Sequence, residues 1–233
     1  MSRITRKELK SDKFALEVEH TFTFFGEHRV QVVRYGTIAL GVVVLVLAFL
    51  AWSRHQHSVR ETALRQALQA QDAPVGDANP NAPVSFPNEE TKQKETTRRF
   101  TDIVSQYSGS EEAQVAEYYL GAISVDQGKL AEAEKQFKTV ADSGNRNYAS
   151  LAKLSLAQIY FSNGNADAGE KTLRGLIDNP TDMVSREHAT IALARGIMAK
   201  KPAEARKLLE PLRTVPGTVG QTAIALVGEI PAQ

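Results

Sequence analysis

The chain has 233 residues, no cysteine and a formal net charge of +1, with 24% charged and 42% hydrophobic residues. Without cysteine there is no disulfide framework, no thiol nucleophile and no thiolate metal site. A charge this close to balance is not that of a nucleic-acid binder, which carries a basic excess or stripe.

Residues 1–34 read as a cytoplasmic tail. Phe14, Val18, Phe22 and Phe25 fall at helical spacing, which suits a short amphipathic helix at the membrane surface. The alternation of Phe14, Leu16 and Val18 suits a strand equally well. Glu8, Asp12, Glu17, Glu19 and Glu27 interrupt the cations, so the tail is too mixed for a polybasic lipid anchor.

Residues 35–53 are expected to cross a bilayer. The run YGTIALGVVVLVLAFLAW contains no charge or amide and is bracketed by Arg34 and Arg54. At about 1.5 Å per residue it extends about 27 Å, close to the roughly 30 Å of hydrocarbon. Tyr35 and Trp52 sit at its two ends, where amphipathic rings favour the headgroup level. Ala51-Trp52-Ser53 resembles a signal-cleavage site, but the long preceding tail and long apolar run favour an uncleaved anchor. The tail carries Arg3, Arg6, Lys7, Lys10, Lys13, Arg29 and Arg34, against Arg54, Arg60 and Arg65 in the stretch after Trp52. Counted over the whole tail, that bias keeps the N-terminus in the cytoplasm and sends the rest outside; counted only near the helix ends, it decides nothing.

Residues 54–72 continue helically through Ala63, Leu64, Ala67 and Leu68, and 73–88 are a Pro-rich linker with Pro74, Pro80, Pro83 and Pro87. Residues 96–107 carry Phe100, Ile103, Val104 and Tyr107 on one helical face. The linker can hold the following region off the bilayer, or let the helix at 59–71 fold back as partner to the helix at 96–107. The sequence leaves both open.

Residues 89–233 are expected to be an all-α helical-hairpin solenoid. Gly128, Gly164 and Lys200 stand 36 residues apart, as do Ala133, Gly169 and Ala205, then Phe137, Leu173 and Leu209, then Val140, Leu176 and Leu212. A fixed period near this length marks units that bury their apolar faces only against their neighbours. In the first unit AEYYLGAISVDQ is one helix, Gly128-Lys129 ends it, and LAEAEKQFKTVAD is a second helix with Leu130, Ala133, Phe137 and Val140 in one stripe. Phe137 is placed to fill the gap to the next pair. Pro180 and Pro216 follow the second helices of the later units. Val219, Ala223, Leu226 and Ile230 stripe a closing helix, as the open end of an array requires.

These residues resemble the tetratricopeptide repeat: Leu120-Gly121, Gly128, Glu132-Ala133 and Phe137, then Leu156-Ala157, Ile159-Tyr160, Gly164, Leu173 and Pro180. The third unit departs, with Arg195 in place of an aliphatic residue and Lys200 in place of glycine, so a distorted third hairpin is expected. The resemblance implies a groove lined by the first helices of successive pairs. Its wall would hold Tyr118, Ala122 and Val125, then Leu154, Gln158 and Phe161, then Thr190, Ala194 and Ile197. Such a wall suits an amphipathic helix or an apolar peptide better than an acidic tail. Equally, Tyr118, Phe161 and Ile197 could fill space against neighbouring helices.

Tail, single span and small repeat domain together are similar to the ancillary Sec translocon subunit family of bacterial inner membranes. That resemblance implies a non-enzymatic accessory protein that binds the translocon and a membrane-anchored periplasmic chaperone. An envelope scaffold for cell-wall or division machinery is the alternative. No catalytic constellation, cofactor site or small-molecule site is read from the chain. His55-x-His57 lacks a third ligand for a metal, and GNADAGEKT lacks both the spacing of a phosphate loop and the strand before it.

Overall fold

The computed structural model describes residues 29–76 and 84–230, so the expected amphipathic helix around Phe14–Phe25 lies outside the described residues, as do Pro80 and Pro83. The described residues form nine α-helices, one 3₁₀ segment and no strand beyond an isolated bridge between Val75 and Phe86. The chain divides into two compact units, Met1–Ser58 and Val59–Gln233.

In the first unit the described residues belong to α1, Arg29–Gln71, which passes the expected boundary at 53/54 as one helix. Its part from Val33 onward is long and apolar enough to cross a membrane by length and composition. Leu40, Leu45, Phe49 and Trp52 are all exposed, as is Tyr35. A helix that is apolar on every side and buries none of it offers its whole circumference to an apolar solvent, while its backbone hydrogen bonds close within the segment.

The second unit begins with the amphipathic end of α1. Ala67 and Ala70 are fully buried there, and Ala67 packs with Phe100 and Ile103, flanked by Ala63, Leu64 and Leu68. Residues 59–71 therefore take the folded-back arrangement, pairing with α2, Glu89–Gln106. The segment between them is tied at its base: Gly76 N–H donates to Phe86 C=O at 2.9 Å, and Phe86 N–H donates to Pro74 C=O at 3.1 Å. Phe86 itself is buried with Ala70 and Ala73. Helix α2 starts well before the apolar face at 96–107 because Asn88 caps it, its side chain accepting from Thr91 N–H.

Three hairpins follow: α3, Glu111–Asp126, with α4, Leu130–Ala141; α5, Arg146–Ser162, with α6, Ala166–Asp178; and α7, Arg186–Ile197, with α8, Pro202–Leu209. A 3₁₀ turn, Glu210–Thr214, leads to α9, Thr218–Glu229; of the expected closing stripe Ala223, Leu226 and Ile230 are buried and Val219 is half-buried against the same core. From α2 to α8 each helix packs closely on its chain neighbours, with weaker contacts between α3 and α5, between α5 and α7, and between α9 and both α7 and α8. Phe137 is 1% exposed and clusters with Ala152, Leu156 and Ile159 of α5, so it does bridge one hairpin to the next.

The first two hairpin turns are built alike. Gly128 at φ +72° and Gly164 at φ +80° take the left-handed conformation, and the residue after each donates back across the helix end: Lys129 N–H to Ser124 C=O, Asn165 N–H to Tyr160 C=O, both at 2.8 Å. This double closure is the glycine-dependent helix stop. The third turn is different. Lys200 has no positive φ, and Lys201 N–H instead donates to Ile197 C=O at 2.7 Å. The hairpin survives without glycine by continuing helical geometry through Met198 and starting α8 on Pro202.

Candidate protein-binding surface

The first helices α3, α5 and α7 carry the nine residues expected to line a groove, and the structure sorts them into two sets. Val125 and Gln158 are exposed, and Tyr118, Ala122 and Phe161 are half-buried. Leu154, Thr190, Ala194 and Ile197 are buried. Leu154, Ala194 and Ile197 share one core cluster with Ala223, Leu226 and Ile230, so the next hairpin and the closing helix have covered them. A three-hairpin array spends most of its inward row on its own end closure, and these four have no surface to give a partner.

Phe161 faces inward too. A Cβ on Gly169 of α6 would lie 2.8 Å from its ring, and one on Gly196 of α7 would overlap the same ring. The ring thus wedges between α6 and α7 over two glycines, and its role is packing. Tyr118 is held among aromatics, with ring centroids 5.5 Å from both Phe137 and Tyr148 and 5.7 Å from Tyr119. Tyr119 stacks on Phe100 of α2 at 5.1 Å. Burial, assisted by the neighbouring Tyr148 phenol, pushes the Tyr119 hydroxyl up to about 12, so it stays a neutral hydrogen-bond donor. Burial also raises Glu117 on the same helix, with Lys135 opposing. The open part of this face is therefore Ala122, Val125 and Gln158 beside the edge of Tyr118.

A cavity lies elsewhere, on the side of the second helices. About 870 Å³ in volume, it is walled by α4, α5 and α6 and by the turn that follows α6. Its floor is apolar, with Leu156, Leu176 and Ala149 among its lining. Lys138, Arg146, Lys153 and Lys171 line it against a single carboxylate, Asp142. Sequence reasoning missed this set, because its members occupy non-equivalent positions of the repeat and come together only when the second helices of successive hairpins flank α5. A count of cations per helix face would have found Lys153, on a helix without acidic residues.

Elsewhere on these helices the charges pair off. Glu170 accepts from Lys201 Nζ at 2.7 Å and from Arg174 at 2.8 Å, and Arg174 also reaches Glu204, lacing α6 to α8. Lys201 and Arg174 hold the Glu170 carboxyl below the usual carboxylate range. These are surface pairs, screened by solvent and of modest worth.

A family model described as a tetratricopeptide repeat-like domain matches residues 33–179, which is more than half of the chain. The chain belongs to the tetratricopeptide repeat-like family. Among solved structures, this member is similar to a crystal structure of a Podosopora anserina putative kinesin light chain with nearly identical TPR-like repeats. The two share 14% sequence identity with a TM-score of 0.54, over 73% of this chain and 84% of that one. At that identity the likeness is one of fold. No curated protein matches. Tetratricopeptide-like repeats act as protein-interaction scaffolds, and no catalytic arrangement stands among the described residues.

Proposed function

We propose that this protein is a single-pass membrane scaffold whose tetratricopeptide-like domain lies outside the cytoplasm and binds protein partners. In this reading it is an accessory subunit of the bacterial protein-export translocon that brings a membrane-anchored periplasmic chaperone to emerging chains. The observation that carries the reading is one chain combining a long helix with an apolar, exposed stretch and a repeat array of the scaffold family. The tail's cationic excess supports a cytoplasmic N-terminus. Ala122, Val125 and Gln158, with the edge of Tyr118, are the groove contacts proposed for an apolar or amphipathic segment.

In-cell crosslinking of the full chain followed by mass spectrometry tests it. Crosslinks to translocon subunits and to a membrane-anchored chaperone are the expected result. Crosslinks to wall synthases instead would move the protein to an envelope or division scaffold, and the export reading would fall.

A further inference from the structure

The cavity between α4, α5 and α6 is chemically unlike the groove on the first helices. Of its four cations, Lys138 is held by Glu134 at 2.6 Å, and Arg146 donates to Pro180 C=O at 3.2 Å. Lys153 and Lys171 have no ion-pair partner among the described residues, and both are exposed. The site thus combines free positive charge and an apolar floor.

We infer that this cavity is a second partner site, taking an acidic protein segment in which carboxylates alternate with aliphatic side chains. Carboxylates answer the compact, strongly hydrated lysine charges. An aliphatic side chain answers Leu156 and Leu176 below them. A small anion would satisfy the charge but leave most of the roughly 870 Å³ to water. The inference deepens the scaffold reading and rests on it. It assigns the second-helix side to acidic partners and leaves the first-helix side to apolar ones.

Fluorescence anisotropy on the full chain in nanodiscs tests it, using a labelled peptide of about ten residues alternating Glu and Leu. The peptide should bind, weaken as salt rises, and be about tenfold or more weaker for Lys153→Glu with Lys171→Glu. Lys207→Glu, a reversal on α8 away from the cavity, should leave binding unchanged, and thermal melting should be the same for all three proteins. Three results would overturn the inference: equal binding of the matching Gln–Leu peptide, wild-type affinity in the double variant, or displacement of the peptide by equimolar inorganic phosphate or by phosphatidylglycerol vesicles. Failure here with translocon and chaperone crosslinks intact would remove this site and leave the scaffold standing. Loss of the crosslinks themselves would remove the scaffold's proposed role.

Discussion

The first and second hairpins fill the same kind of space from opposite sides. In the first, Gly121 on α3 lies under Phe137 of α4, where a Cβ would stand 2.7 Å from the ring. In the second, the matching positions are Ala157 and Leu173, both buried, so the large ring is gone and a methyl group has returned. The aromatic has moved to Phe161, on the first helix, and the glycine has moved with it to Gly169. What repeats is the volume shared by a facing pair, with either helix free to supply the bulk. Close-packed interiors demand that sum and are indifferent to which residue provides it.

The largest expected effect comes from deleting the two rings. Phe137→Ala should destabilise the repeat domain by about 3–5 kcal/mol, and the half-buried Phe161 by less, about 2–3 kcal/mol, in urea unfolding. Equal losses would mean that the two wedges are equally enclosed, against the burial observed.

Exchanging the pairing is a sharper probe. Gly121→Ala alone sets a Cβ against a ring that is 1% exposed, so overpacking of about 1–3 kcal/mol should outweigh the roughly 1 kcal/mol that alanine gains as a helix former. Combined with Phe137→Leu it rebuilds the second hairpin's pairing inside the first. The double variant should be more stable than the sum of the two single changes predicts. Strict additivity would show that the two positions do not share one space.

Smaller still is the contrast among turns. Gly164→Ala forces a side chain to φ +80° and should cost about 1 kcal/mol or a little more. Lys200→Gly should bring no gain and cost up to about 1 kcal/mol through the freer unfolded chain, since that turn uses no left-handed residue. A marked gain in stability from Lys200→Gly would show that the third turn is strained.

The smallest effect is electrostatic. Arg98 and Arg99 hold the Glu95 carboxyl at about 2, below its ordinary value of 4.5. A depressed carboxylate stabilises the fold above its unfolded pKa and loses that contribution as pH falls from about 4.5 towards 2. Screened at the surface it is worth under about 1 kcal/mol. Glu95→Gln should lower the melting temperature slightly at pH 6 and by clearly less near pH 2.5. A gap that widens in acid would have the wrong sign.

Much of the fold was legible because a hairpin's stripe is written in adjacent residues. Ala133, Phe137 and Val140 needed only their spacing, and so did Ala223, Leu226 and Ile230. The start of α2 was not, since EETKQKE has no stripe and the signal was the single Asn88 cap. The binding face was legible only in part. Periodicity tells which residues share a face, but burial of Leu154, Ala194 and Ile197 depends on how closely the next hairpin and α9 approach, which no local pattern encodes. The third turn misled because glycine at that position is one helix stop among several. Lys138, Lys153 and Lys171 come from three helices, and tertiary packing alone makes them one site.

The central claim is that a bilayer-tethered repeat array presents its open faces to other proteins. It is tested most directly by placing a photo-crosslinking residue at exposed Gln158, and separately at Lys153, in the full chain within its own membranes. Discrete protein adducts from both positions, with the chain resisting carbonate extraction, are the predicted result. Uncrosslinked chain at both positions, or release of the protein from the membrane by carbonate, would contradict it.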